Sequence, residues 1–262
     1  MKILFDILNN FSSVSLKEIE KFSLMNRMDT KFILPVSKIP ALLEKSKINY
    51  KVLEINNKHC LRYFSTYFDT NDFIMYHSHH NGKLNRYKIR KREYLDTNTG
   101  FLEIKIKSNK GNTKKIRIKN QSNNATDDFL TEEIDFINNN TPFTTKDLVA
   151  TMSSNFKRIT LIHNFNKERI TIDFDLEFKN QQKSNKLPYL AIAEIKQERS
   201  SVSSDFKKYL RQENVFPSSM SKYCIGSILL YNKLKYNNFK SKLRTIKKLN
   251  YDFEFNNVNN RY

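Results

Sequence analysis

Apolar and polar positions alternate with two distinct periods along the chain. Helical spacing comes first. Ile3, Leu4, Ile7, Leu8 and Phe11 recur on one side, which predicts an amphipathic helical segment over 1–22, with a second short turn from Ser15. Residues 27–34 read as a strand, and Ser37 is placed to cap a helix carrying Ile39, Leu42 and Leu43 on its apolar side. Strands are expected at 61–69, 85–94, 101–107 and 113–119, with loops at 77–83 (HSHHNGK) and 120–128. A helix is expected at 145–153, followed by strands at 156–163, 169–178 and 190–198. Ser204 can cap a helix reaching Arg211, and residues 221–236 predict another with Ile225, Ile228, Leu229 and Leu234 on its apolar side. No repeat or linker divides the chain, so one domain is expected over 1–236, followed by a basic, Asn-rich mobile tail over 237–262.

The strands carry most of the information, because successive side chains point to opposite faces. In 86–92, Arg86, Lys88, Arg90 and Arg92 share one face, while Tyr87, Ile89 and Lys91 share the other. Glu103, Lys105 and Lys107 oppose Leu102, Ile104 and Ile106; Lys115, Arg117 and Lys119 oppose Ile116 and Ile118. Arg158 and Thr160 oppose Ile159 and Leu161. Arg169, Asp173, Asp175 and Glu177 oppose Ile170, Ile172, Phe174, Leu176 and Phe178, and Glu194 shares a face with Lys196. A single strand of this kind fits an ordinary antiparallel sheet with one wet face. Repeated strand after strand with Arg and Lys, it places like charges opposite each other, which is destabilising unless an anion sits among them. A closed barrel does that, since every second residue lines its lumen. The expected fold is therefore α+β: a closed antiparallel β-barrel tunnel with a cationic lumen, its apolar outside covered by the helices.

Composition sharpens this picture. The 46 Lys and Arg residues exceed the 27 Asp and Glu, for a formal charge of +19, which calls for an anionic partner: nucleic acid, acidic lipid or polyphosphate. With 20 Phe, 13 Tyr and 39% hydrophobic residues the chain can bury a sizeable core. Only 4 Gly and 5 Pro argue for long regular elements. Cys60 and Cys224 offer neither a disulfide framework nor a metal-ligand spacing. No apolar run approaches a membrane span, and the polar start MKILFDILNNF does not read as a signal peptide, so a cytoplasmic protein is expected. Nucleic acid is not the expected partner, because the basic residues alternate with aliphatics and no nucleic-acid-binding signature is present. His77, His79 and His80 lack a supporting Cys or Glu spacing, so a plain polar loop is preferred to a metal site. The basic tail (Lys240, Lys242, Arg244, Lys247, Lys248) reads as a solvated helix face, with peripheral contact to anionic lipid as the alternative. Glu194, alone among small and apolar neighbours in AIAEIK, is the best single metal candidate, because phosphates usually bring Mn²⁺ or Mg²⁺ held by one or two carboxylates.

The segments RMDTKFILP (27–35), STYFDT (65–70), NRYKIRKREY (85–94), FLEIKIKSNKGNTKKIRI (101–118), FKRITLI (156–162), RITIDFDLEF (169–178), AEIK (193–196) and SKYCIG (221–226), in this order, resemble the vacuolar transporter chaperone (VTC) domain of the triphosphate tunnel metalloenzymes. The resemblance spans about residues 12–236. It implies a tunnel that grips triphosphate or polyphosphate. By motif, Lys31 resembles the first-strand lysine, and Arg90 and Arg92 the paired tunnel arginines, extended by Arg86 and Lys88. Lys105 and Lys115 resemble the next lysines, Arg158 the arginine before the central strand, Glu194 the metal ligand and Lys222 the late lysine that reaches back. Arg117 and Lys196, on the same charged faces, join the phosphate-binding set. Phosphatase relatives begin with Glu-x-Glu-x-Lys; here Arg27 stands at the first glutamate, which favours the VTC branch.

The activity expected from the resemblance is transfer of the terminal phosphate of ATP or another nucleoside triphosphate onto a polyphosphate chain. Arg90, Arg92, Lys105 and Arg158 would act at the reacting phosphates. The acceptor is already anionic and needs no general base. The alternatives are a hydrolase of triphosphate or nucleoside triphosphates, and a protein that only binds polyphosphate.

Overall fold

The structure, a computed structural model, describes residues 2–21, 27–109, 113–120, 129–199 and 203–259. The chain begins with α1 (Lys2–Asn9), β1 (Ser13–Val14), α2 (Leu16–Lys21), β2 (Arg27–Pro35), α3 (Ile39–Ser46), β3 (Tyr50–Leu53) and β4 (Cys60–Asp69). It continues with α4 (Ile74–His80), β5 (Arg86–Tyr94), β6 (Thr99–Lys107), β7 (Thr113–Asn120), α5 (Thr131–Asn140), β8 (Val149–His163) and β9 (Glu168–Lys179). It ends with β10 (Ser184–Leu187), β11 (Leu190–Glu198), α6 (Asp205–Gln212), α7 (Lys222–Leu230) and α8 (Lys240–Asn259).

The strands form one 11-stranded sheet whose main path runs β2, β11, β9, β8, β4, β5, β6, β7, every neighbouring pair on it antiparallel. The expected closed barrel is not formed. No ladder joins β2 to β7 among the described residues, so the sheet is a curled, open half-barrel. The free edge of β2 is already occupied: Phe32 bridges to Pro217, and the Ser218 amide donates to the Lys31 carbonyl at 2.7 Å. A strand edge whose groups are taken cannot pair again.

Helices cover the convex side as expected. Leu4, Leu8, Ile39, Leu42, Phe206 and Leu210 of α1, α3 and α6 pack on Leu34, Ile159, Ile172 and Ala193 of the sheet. Ile137 of α5 covers Ile89, Leu102 and Ile104. Each fully buried Leu or Ile of this kind contributes roughly 1.5–3 kcal/mol. A third apolar cluster lies on the concave side at one end, where Tyr223 and Ile225 of α7 meet Met152, Leu176 and Phe178. Gly226 permits that approach: a Cβ there would lie 2.5 Å from Met152 Cε and 2.8 Å from Phe178 Cδ1.

A β-bulge makes this apolar end. The β8–β9 register shifts between Asn155 and Lys157, and Asp175 sits at φ 54°. Past it the faces of β9 exchange. Leu176 and Phe178 turn inward, while Asp175 leaves the charged face, its side chain 55% exposed and paired with Lys157. Strict alternation through 169–178 therefore misplaced Asp175 and Glu177.

Several local expectations also change. HSHHNGK is largely helix α4, started by the buried Asp69 carboxylate, which accepts from the amides of Thr70, Met75 and Tyr76. Residues 145–153 form a short 3₁₀ turn and then β8, because Val149 and Ala150 pair with Asp69 and Phe68. Ser37 caps nothing; it lies in a 3₁₀ turn, and Pro40 sits in the first turn of α3. The N-terminal segment is two helices split by β1. The 221–236 helix stops at Leu230. The tail is helix α8 through Asn259, with Leu243, Ile246 and Leu249 on the core. Ser204 does cap α6, accepting from the Lys207 amide at 3.2 Å. The loop expected at 120–128 lies, beyond Asn120, outside the described residues.

Lys91 points to the convex, apolar side, where it meets Glu133 of α5 at 3.0 Å, both side chains 2% exposed. Its ammonium also lies 5.0 Å from the centre of the Phe129 ring. Breaking such a pair strands a buried charge, so Glu133→Ala is expected to lower unfolding free energy by about 3–5 kcal/mol. The Lys91→Met, Glu133→Leu double variant is expected to regain most of it. Urea denaturation of both checks this; a double variant as unstable as the single one would contradict it.

Candidate functional site

The concave face gathers charge from strands far apart in sequence. On β5 it presents Arg86, Lys88, Arg90 and Arg92, whose register neighbours on β6 include Lys105 and Glu103. Lys115 and Arg117 continue the rows on β7, opposite Lys105 and Glu103. Arg158 on β8 faces Asp173 on β9. Lys31 on β2 is the register partner of Glu194 on β11, and Asp29 that of Lys196. Lys222 enters from the first turn of α7. The curl brings the far strands within electrostatic reach, so that Lys105 on β6 acts on Lys31 and Lys196.

Three inward carboxylates hold this charge together. Glu103 Oε2 accepts from Arg90 Nε at 2.8 Å and Nη2 at 2.6 Å, and its other oxygen contacts Lys115. Asp173 takes a fork from Arg158, at 2.5 and 2.8 Å, and also contacts Lys222. Glu194 contacts Lys31, and its Oε2 lies 2.9 Å from Lys196 Nζ. Each acid is thus clamped by two bases. Bases remain over: among the described residues no carboxylate pairs with Lys88, Arg92 or Lys105. Lys88 Nζ donates to Ser221 Oγ at 3.0 Å and Arg92 Nε to Ser65 Oγ at 3.3 Å.

The crowding shifts ionisation in both directions. Burial, with Lys196, Lys222 and Lys105 close by, pushes Lys31 down to about 6. Burial and Lys88 bring Lys105 down to about 8, and burial likewise brings Lys115 and Lys196 to about 8. Burial would raise Glu103, but Arg90, Arg92 and Lys115 outweigh it and hold the carboxyl at about 2. The same contest, won by Arg158 and Lys222, holds Asp173 well below its ordinary range. Even the buried Tyr67 phenol is lowered, because Arg90, Arg92 and Lys222 overcome its burial. The surplus of cations makes the face electrostatically suited to an anion.

A divalent metal fits one place in it. Lys196 Nζ stands between Glu194 Oε2 and Asp29 Oδ2, the latter at 3.9 Å, so an ammonium already lies between two carboxylates. Facing them, the buried Thr171 hydroxyl, opposite Glu194 in register, has no hydrogen-bond partner. Two hard oxygen donors suit Mg²⁺ or Mn²⁺ only with phosphate oxygens completing the shell. Among the described residues no cluster of three or more His, Cys, Asp or Glu could hold a metal unaided.

The reacting-phosphate, phosphate-binding and metal candidates from the sequence all lie on this face, two of them at its margin. Arg86 sits at the end of its row, donating to the Lys83 carbonyl at 2.7 Å, and Arg117 is exposed with its guanidinium 4.3 Å from the centre of the Phe101 ring. His79 is half-buried in α4 and stacks on Phe239; desolvation and then Lys88 push its imidazole down to about 3. Sequence reasoning missed Asp29 as a carboxylate beside Glu194, and Tyr63, Ser65 and Tyr67 of β4. The period-two spacing of the last three was the available signal, hidden because none is charged.

The VTC domain model matches residues 26–231. Among solved structures, the chain is similar to a candidate adenylate cyclase from Bacillus halodurans, with TM-score 0.50 and 11% identity over 75% of this chain and 94% of that one. It is also similar to a candidate adenylate cyclase from Vibrio parahaemolyticus, with TM-score 0.45 and 10% identity over 76% and 97% of the two chains. A third is a Hippeastrum candidate adenylyl cyclase described as having a dominant triphosphatase activity, with TM-score 0.44 and 11% identity over 77% and 95%. No curated protein matches by sequence. At such identities the likeness to the first of these structures speaks for the fold alone. The family match covers most of the chain, including every strand that supplies the charged concave face, and the chain therefore belongs to the VTC domain family.

Proposed function

We propose that the concave face binds the phosphates of a nucleoside triphosphate such as ATP and moves the terminal phosphoryl group onto a polyphosphate chain, with Mn²⁺ or Mg²⁺ bound. The observation that carries this reading is the surplus of inward-facing bases: Lys88, Arg92 and Lys105 face the trough with no carboxylate partner among the described residues, and Arg92 is buried. An uncompensated buried charge is expensive, and a polyanion compensates several at once. Family membership supports a triphosphate or polyphosphate as that anion.

Arg90, Arg92 and Arg158 would grip phosphate oxygens, their planar forks matching the geometry. Lys105, Lys115, Lys31, Lys88, Lys196 and Lys222 would neutralise charge as point donors. Arg86, at the Lys107 end of the row, lies where a longer chain would extend. Glu194, with Asp29 beside it, would hold the metal, whose contribution is charge neutralisation on phosphate oxygens. Positioning and neutralisation account for most of such a transfer, since the nucleophile is itself an anionic phosphate oxygen. Hydrolysis would need a base to orient water, and Glu103, Asp173 and Glu194 are each occupied by two bases. That supports transfer to phosphate over transfer to water.

The deciding experiment incubates the protein with ATP and Mn²⁺, with and without a short polyphosphate primer, and resolves products on a gel stained for polyphosphate. A growing ladder is expected. Free phosphate alone would make the protein a hydrolase, and no product at all would leave only binding. Glu194→Gln is expected to lower the metal-dependent rate on the order of 100-fold. It also releases Lys31 and Lys196, so metal-free affinity for tripolyphosphate, read by calorimetry, should hold or rise. A fall in both would mean that Glu194 only supports the fold.

Affinity should also depend on pH. Lys105 and Lys115, at about 8, are charged below that pH and neutral above it. The anion binds the charged forms, so tripolyphosphate affinity should fall between pH 7 and 9, by up to about 10-fold for each lysine. Lys105→Met should flatten the profile; an unchanged slope in that variant would contradict the assignment.

A further inference from the structure

We propose that the end of the trough beyond Arg92 is a nucleobase shelf, formed by Tyr94, Phe101 and Arg117, which stacks the base of the triphosphate whose phosphates lie among the bases. This rests on the reading of the trough as a triphosphate site. The inward row of β5 runs Arg86, Lys88, Arg90, Arg92 and then Tyr94; that of β6 runs Lys107, Lys105, Glu103 and then Phe101. Charge gives way to rings at the same level on both strands, and Phe101 is the direct register partner of Arg92.

The rings are arranged to receive a flat ligand. Tyr94 meets Phe101 edge-on, with centroids 5.9 Å apart and planes at 88°. It also meets Tyr63 at 5.1 Å, and Tyr63 lies 4.8 Å from the Arg158 guanidinium. The aromatic surface is thus continuous with the phosphate-facing arginines. Tyr63 is buried, whereas Tyr94 and Phe101 are only half-buried and Arg117 is exposed. Arg117 has no carboxylate partner among the described residues, because Glu103, its register neighbour, is held by Arg90 and Lys115. Its guanidinium instead lies over the Phe101 ring. A guanidinium and aromatic rings at the edge of a phosphate site offer stacking surfaces to any base. Stacking selects by area and not by hydrogen-bond pattern, so purines should bind above pyrimidines, with ATP and GTP close to each other.

The test is calorimetric titration of the full chain, without metal, by ATP and separately by inorganic tripolyphosphate. Phe101→Leu and Tyr94→Leu are compared with Phe101→Tyr, which keeps a ring, and all are checked for unchanged thermal unfolding. The leucine variants are expected to lose about 10-fold in ATP affinity, to hold tripolyphosphate within about 2-fold, and the tyrosine variant to behave as the parent. Equal losses for both ligands, or no loss for ATP, would overturn the shelf while leaving the phosphate site standing. A parent protein that binds no tripolyphosphate would overturn the phosphate site and the shelf with it.

Discussion

Like charges crowded in the trough repel, and Glu103, Asp173 and Glu194, spaced among them, offset that repulsion. Each carboxylate answers two bases drawn from different elements: β5 and β7 for Glu103, β8 and α7 for Asp173, β2 and β11 for Glu194. These bonds tie neighbouring strands together across the concave face and fasten α7 to β9. A buried pair of this kind adds little net stability, yet losing one partner costs about 3–5 kcal/mol. The acids thus act mainly to offset repulsion, and the bases without a carboxylate partner among the described residues suit the trough to an anion.

The apolar parts of the structure serve that arrangement. Helices on the convex side let the sheet bend without exposing its aliphatic face. The bulge at Asp175 ends the charged lining by turning Leu176 and Phe178 inward, and α7 seats on them through Gly226. That seat delivers Lys222 to Asp173 and sets Ser221 against Lys88. The site is built from side chains anchored in regular elements, with α7 as the one helix among the described residues that contributes from outside the sheet.

Much of this was legible in the chain. The alternation in RYKIRKR, FLEIKIK and KKIRIK fixes which residues face inward, and it correctly placed Lys91 on the apolar side, where Glu133 of α5 meets it. Alternation failed at Asp175, because a bulge inserts one residue and no local signal in RITIDFDLEF marks it. Closure was not legible either: whether β7 meets β2 depends on Pro217 and Ser218 reaching the β2 edge from far along the chain. The tail misled for a third reason. Its basic residues dominated the reading, while Leu243, Ile246 and Leu249 recur at helical spacing and bind α8 to the core. Asp29 stands at the second glutamate of the Glu-x-Glu-x-Lys pattern, but its partnership with Glu194 exists only through the β2–β11 register.

The clamped acids also bear on how a long anion could move through such a site. A phosphate that enters must take Arg158 or Arg90 from a carboxylate, and the carboxylate recovers its partner when the phosphate leaves. Exchange of one anion for another of similar geometry costs far less than exposing a bare guanidinium. In the proposed reaction, binding would then be nearly uniform along the trough, and a chain could shift by one phosphate without crossing a deep well. Tight, uniform binding alone would not speed transfer, because only interactions stronger in the transition state do so. The bases left without a carboxylate, Lys88, Arg92 and Lys105, are the ones free to respond to the extra charge that develops during transfer. In the proposed reaction the paired bases accommodate the chain, and the unpaired ones favour the step.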